Sequence, residues 1–246
     1  MYRTHIIGGN QLIAYKYHET SKNLPTIVFV HGLLSSMESS KAVHLHNWCE
    51  QNELNYIRFD NFGSGHSSGN FIDQTISSWL FATEEIIHNL CPHGAILVGS
   101  SKGAWISLLA AIRNHLVVKG LVCIAAAPGF TEDIWNSLSA AEQSKMKAGK
   151  TITFEGVPPY KYDIKYGLIE DAKQYMLLEQ PVLPISCKVR MIHGMQDEEV
   201  SYKKSIAITE KILSKDILCT LIKTGAHNLS RPEDLDIITR NIIEVF

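Results

Sequence analysis

The chain has 246 residues, 45% of them hydrophobic and 20% charged, with a formal net charge of −2. That is the composition of a globular protein with a sizeable core, and the length suits one large α/β domain spanning 1–246. The near-balance of charge and the lack of a basic cluster exclude a nucleic-acid footprint, and no apolar run reaches the roughly 20 residues that span a bilayer.

The elements alternate along the chain. "HIIGGNQLIAYKYHE" reads as two antiparallel strands around Gly8-Gly9. "TIVFVHG" (26–32) is a continuously apolar strand, the pattern of a strand buried on both faces. A helix is predicted over about 38–52, a strand at "NYIRFDN" (55–61), and a helix at "TISSWLFATEEIIHNL" (75–90), with Pro92 just past its end. "AILVGS" is a strand running into the helix "KGAWISLLAAIRNH". "VKGLVCIAAAP" (118–128), "KVRMIHG" (188–194) and "DILCTLIKTG" (216–225) are further strands, and "EDLDIITRNIIEVF" is a closing amphipathic helix. This alternation predicts an α/β, mostly parallel, doubly wound sheet with helices on both faces.

One segment departs from the alternation. About 129–184 has no buried strand: "TEDIWNSLSAAEQSKMKAG" is helical, "TITFEGVPPYKYDIKYG" reads as short strands or turns, and "LIEDAKQYMLLEQ" is helical again. It is expected to form a small helical cap insertion over the carboxyl ends of the strands, where open α/β sheets bind ligands. Its apolar side chains include Phe130, Ile134, Trp135, Val157, Tyr160, Tyr162 and Met176. Most should fix the cap to the body; Trp135 and Met176 are the candidates to bind substrate. The five cysteines are scattered without C-x-x-C spacing. They read as reduced thiols in a cytoplasmic protein, not as disulfides or a metal site, and the N-terminus shows no secretory signal.

Two pentapeptides fit G-x-S-x-G: "GSSKG" (99–103) and "GHSSG" (65–69). A nucleophile elbow requires a buried strand directly before the serine and a helix directly after it. Ser101 has both. Ser67 lies between "RFDNFGSGH" and "GNFIDQ" and reads as a loop residue. A serine hydroxyl needs a base, and the base an orienting acid. In the elbow architecture the order is serine, acid, histidine, the last two after late strands. "MIHGMQDEEV" supplies Asp197, followed by Glu198 and Glu199, and "LIKTGAHNLS" supplies His227, the single histidine beyond the last strand. The oxyanion donors are expected to be the backbone N–H groups of Lys102, which follows the serine, and Leu33 in "FVHGLLSS". His31 reads as an orienting side chain of that loop.

"FVHGLLSS", "RFDNFGSGHSSG", "LVGSSKGAW", "HGMQDEEV" and "GAHNL" resemble, in order and spacing, the motifs of the α/β-hydrolase superfamily across nearly the whole chain. The elbow, the "HGM-x-D" loop and the segment ending "LLEQPVLPISC" are similar to its palmitoyl-protein thioesterase and acyl-glucuronide esterase branch. The resemblance implies a cofactor-free serine hydrolase of esters or thioesters, acting on a small-molecule ester or an acylated protein. It implies Ser101 as nucleophile, Asp197 as acid and His227 as base. Lys102 departs from the small or apolar residue often found after the nucleophile, and Ala104 from a second glycine. The alternatives are a related reaction on the same scaffold, such as carbon–carbon bond hydrolysis, or a non-catalytic ligand-binding member.

Overall fold

The computed structural model describes residues 1–155 and 161–246, and of Asn10 only the backbone. Strands β1 (Arg3–Ile7) and β2 (Gln11–His18) form the expected hairpin, with Ile7 opposite Gln11. Then come β3 (Thr26–Val30), α1 (Ser40–Gln51), β4 (Tyr56–Phe59), α2 (Ile76–Leu90), β5 (Ala95–Ser100), α3 (Lys102–Arg113) and β6 (Val118–Ile124). Helix α2 starts where Thr75 and Ser78 cap each other's backbone N–H groups. In the 129–184 excursion lie α4 (Phe130–Ser137), α5 (Ala140–Lys147), β7 (Ile152–Glu155), β8 (Lys161–Ile164) and α6 (Tyr166–Ala172). After it come β9 (Lys188–Gly194), α7 (Lys203–Lys211), β10 (Ile217–Ile222) and α8 (Pro232–Glu244).

The single helical run read across 131–149 is two helices. Ser139 accepts the Glu142 N–H while the Glu142 carboxylate accepts the Ser139 N–H, and this capping box begins α5 as a separate helix. Strands β7 and β8 pair antiparallel with each other and stay outside the main sheet. Val157 and Tyr160, between them in sequence, lie outside the described residues.

The main sheet has eight strands in the order β1-β2-β4-β3-β5-β6-β9-β10. Strand β2 pairs antiparallel with β4, and every pairing from β4 to β10 is parallel. The continuously apolar strands are those buried on both faces. Val28, Val30 and Leu97 pack under α2 and α3, whereas Ile27, Phe29, Ile96 and Val98 pack under α1 and α8. Because β3, β5, β9 and β10 run parallel, their carboxyl ends, and the loops carrying Leu33, Ser101, Asp197 and His227, open at one edge of the sheet.

Candidate active site

Ser101 is the hinge between β5 and α3, at φ 56° and ψ −117°. A non-glycine residue with this backbone costs on the order of 1–3 kcal/mol and persists only where the surroundings enforce it. The two glycines of the motif explain how the turn closes. A Cβ at Gly99 would collide with the backbone of Gly103 and Ala104, and a Cβ at Gly103 with the Val30 carbonyl. Strand and helix approach to backbone contact there, and the serine side chain is the one that projects.

The imidazole of His227 joins Ser101 to Asp197. Ser101 Oγ is 3.0 Å from His227 Nε2, and His227 Nδ1 is 2.7 Å from Asp197 Oδ2. Asp197 is surrounded by donors: its Oδ1 accepts the N–H groups of Glu199 and Val200, at 2.9 and 2.8 Å, and its Oδ2 also lies 3.0 Å from His193 Nε2. Burial pushes its carboxyl up, but the hydrogen bonds from His193, His227 and the Val200 N–H outweigh this and hold it well below the usual carboxylate range. An ionised, acceptor-only Asp197 requires the proton of His227 on Nδ1. Nε2 is then a free lone pair that accepts the Ser101 hydroxyl.

His193 was missed in the sequence, where "HG" marked only a strand end. It is fully buried; Ser205 Oγ on α7 is 2.7 Å from its Nδ1, and its Nε2–H is shared between Asp197 and the Val200 carbonyl. It fixes the carboxylate from behind. The acid and base loops are also joined directly, by Gln196 N–H to the Gly225 carbonyl at 2.9 Å. Lys41, on α1, donates to the Asn228 carbonyl and so ties the base loop to the body.

Leu33 follows Gly32, whose α-carbon faces the Ser100 carbonyl and Ser101 Cβ, so its loop lies against the elbow. The N–H groups of Leu33 and Lys102 meet no protein acceptor among the described residues. His31 pins this loop: its Nδ1–H donates to the Gly32 carbonyl at 2.8 Å and its Nε2 accepts the Asn61 N–H at 3.0 Å. Burial and the nearby Lys102 charge push its pKa down to about 3. Neutral, with both nitrogens engaged, it orients the loop and does not compete with His227.

The Lys102 side chain turns inward, 2% exposed, with its ammonium 4.1 Å from the centroid of the Trp79 ring. Burial lowers its pKa to about 7. The native state therefore disfavours the charged amine, whereas the unfolded chain keeps it up to about pH 10. Between those values the unfolded state binds more protons, so this group makes stability rise with pH. Lys102→Met should be more stable than the parent at pH 6, and the gap should narrow as pH is raised toward 9. Urea unfolding of both proteins across that range checks this; a gap that widens with pH refutes it.

The cleft over Ser101 has two halves that share Leu33, Ser101, Tyr162, Glu199 and His227. One, about 520 Å³, is rich in hydroxyl and amide groups from Ser35, Ser39, Ser40, Asn228 and Ser230. The other, about 470 Å³, is walled by Ala127, Phe130, Ile134 and Val200, with Asp133 and Glu155 at its rim. Trp135 and Met176, expected to bind substrate, are not brought to this cleft. They line a separate cavity of about 240 Å³ with Ile169 and Lys173, and the Trp135 ring packs on Tyr166 at 5.4 Å. Phe130 and Ile134, four residues apart on α4, share the face toward the cleft, and Trp135 lies about 100° further round the helix. Ser67 is a loop staple: its Oγ accepts the Ala14 N–H at 2.9 Å and donates to the Asp60 carbonyl at 2.5 Å. Among the described residues there is no cluster of three or more His, Cys, Asp or Glu side chains able to hold a metal, and no helix long and apolar enough to cross a membrane.

No family model matches the chain. The mouse protein named palmitoyl-protein thioesterase ABHD10, mitochondrial, is 32% identical over 234 residues, covering 94% of this chain and 78% of its own. The solved structure of mouse α/β hydrolase domain-containing protein 10 superposes with a TM-score of 0.90 at 30% identity, covering 99% of this chain and 97% of that one. Est1E from Butyrivibrio proteoclasticus, with ferulic acid bound, gives a TM-score of 0.75 at 20% identity over 99% of this chain and 96% of its own, a likeness of fold alone.

Proposed function

We propose that this chain, which belongs to the ABHD10 family of α/β-hydrolases, cleaves carboxylic esters or thioesters with Ser101 as nucleophile, His227 as base and Asp197 as the orienting acid. The observation that carries this reading is the unbroken hydrogen-bonded line Asp197–His227–Ser101, ending on a serine held at positive φ. His227 Nε2 takes the Ser101 proton as Oγ adds to the substrate carbonyl. The negative oxygen that develops is received by the N–H groups of Leu33 and Lys102, at the positive end of the α3 dipole. The imidazolium, stabilised by the Asp197 carboxylate, protonates the leaving alcohol or thiol. Water deprotonated by the same nitrogen then releases the acid from the acyl-enzyme.

The excursion between β6 and β9 serves as the cap of a single domain, contributing Phe130, Ile134 and Tyr162 to the cleft. The acyl chain occupies the half walled by Ala127, Phe130, Ile134 and Val200, and the leaving group occupies the hydroxyl-rich half. An S-acylated protein, the substrate in the ABHD10 relatives' name, is one candidate; a small-molecule ester is the other. All five thiols are free, which suits a reducing compartment. The cytoplasm is the simplest such place, although the ABHD10 relatives are named as mitochondrial.

A series of p-nitrophenyl esters from two to sixteen carbons tests the reading. Each methylene buried against Ala127, Phe130, Ile134 and Val200 contributes about 0.8 kcal/mol, so kcat/KM should climb several-fold per carbon and then level off. Ile134→Ala should move the plateau to longer chains. Steady decline from acetate upward would refute the acyl assignment, and no hydrolysis of any ester would refute the function.

A further inference from the structure

Glu199 is left over once the proposed machinery is assigned, and it sits where charge matters most. Its Oε2 lies 3.8 Å from His227 Nε2, the nitrogen that faces Ser101. The side chain lines both halves of the cleft and is 54% exposed to solvent there. Its backbone is fixed, because the Glu199 N–H donates to Asp197 Oδ1.

The other carboxylates at the rim are neutralised. Asp133 pairs with Lys204 and Glu155 with Lys161, whereas Glu199 has no lysine or arginine partner among the described residues. The cations close by do not offset it at the mouth. Lys102 is turned into the interior onto Trp79, and Lys41 is drawn onto the Asn228 carbonyl and Ser230. Tyr162, which shares the cleft, is a phenol whose pKa is raised by burial and then by Glu199, so it stays neutral and brings no charge of its own. The reacting carbonyl and the leaving group must therefore pass a fixed, uncompensated negative charge.

We infer that Glu199 is a specificity-determining residue that selects substrates with uncharged or cationic leaving groups and disfavours anionic ones, such as carboxylated or phosphoryl-bearing alcohols and thiols. The inference rests on the proposed ester or thioester hydrolysis at Ser101. Because the mouth is open to water, one charge at this range should change selectivity by roughly five- to tenfold, and salt should screen part of it.

The test uses three butyrate esters of phenols that differ only at the para position: nitro (neutral), sulfonate (anionic) and trimethylammonio (cationic). The quantity read is the ratio of kcat/KM for the sulfonate ester to that for the trimethylammonio ester, which cancels any common loss of activity. At low ionic strength Glu199→Gln should raise this ratio about fivefold or more, and Glu199→Lys should raise it further. Glu198→Gln, at the neighbouring exposed carboxylate, should leave it unchanged. In the unmodified protein the ratio should rise toward its Glu199→Gln value as salt is added. A ratio that does not respond to Glu199→Gln, to Glu199→Lys or to salt overturns the inference while leaving ester hydrolysis in place. Failure of the unmodified protein to hydrolyse any of the three overturns the reading of the site, and the inference with it.

Discussion

Ser101→Ala should lower kcat/KM by at least about 10³-fold with the fold retained, because it deletes the one projecting hydroxyl proposed as nucleophile and leaves the elbow backbone as it is. Alanine tolerates the same positive φ no better and no worse than serine, so the strain at the turn is unchanged and thermal unfolding should move little. Ser67→Ala separates the proposed nucleophile from the staple. It removes the acceptor of the Ala14 N–H and the donor to the Asp60 carbonyl, so it should cost about 1–3 kcal/mol of stability and little activity per folded molecule. A fluorophosphonate probe should label the unmodified protein and Ser67→Ala, and fail to label Ser101→Ala. Labelling that survives Ser101→Ala refutes the assignment, whichever residue proves to carry the adduct.

That contrast between two serines in the same five-letter pattern shows what sequence can carry. The elbow at Ser101 is legible because its neighbours on both sides declare their state: "AILVGS" is a short, continuously apolar run of the kind found in strands buried on both faces, and "KGAWISLLAAIR" has helical spacing. Asp197 and His227 are legible by position, since each follows a strong strand signal. The order of strands in the sheet is not, because pairing is settled by contacts between residues far apart in sequence. The placement of Trp135 and Met176 fails for a related reason. An apolar residue on a short helix announces that it is buried, but the rotation of α4 about its axis is set by α6, whose Tyr166 takes the Trp135 ring and leaves Phe130 and Ile134 for the cleft. His193 and Glu199 lie within the same ten-residue motif as Asp197, and their roles depend on how the loop folds back. The turn at Val200 brings a carbonyl to His193, and α7 brings Ser205. No periodicity in "HGMQDEEV" encodes that return.

His227→Ala should be as damaging as Ser101→Ala, and the double variant should be no worse than either single one, if the two act as one unit of nucleophile and base as proposed. Asp197→Asn should also be severe, a loss of up to about 10⁴-fold, and for a reason particular to this site. Asp197 accepts four donors: the N–H groups of Glu199 and Val200 on Oδ1, and the imidazole N–H groups of His193 and His227 on Oδ2. An asparagine has one acceptor oxygen. If its NH2 group faces the histidines, His227 must turn a lone pair toward it and carry its proton on Nε2, where it can no longer accept the Ser101 hydroxyl. If its NH2 group faces the Glu199 and Val200 N–H groups instead, donors meet donors, the loop after β9 is pushed away, and the whole acid loop loses register with the base loop to which Gln196 ties it. Either orientation defeats the site, by tautomer in the first case and by position in the second. The imidazole nitrogen resonances of the variant tell them apart: a proton moved to Nε2 of His227 marks the first, and retention on Nδ1 with a destabilised acid loop marks the second. Asp197→Asn with activity within tenfold of the parent would remove Asp197 from the mechanism and turn attention to Glu199, the other carboxylate within reach of His227.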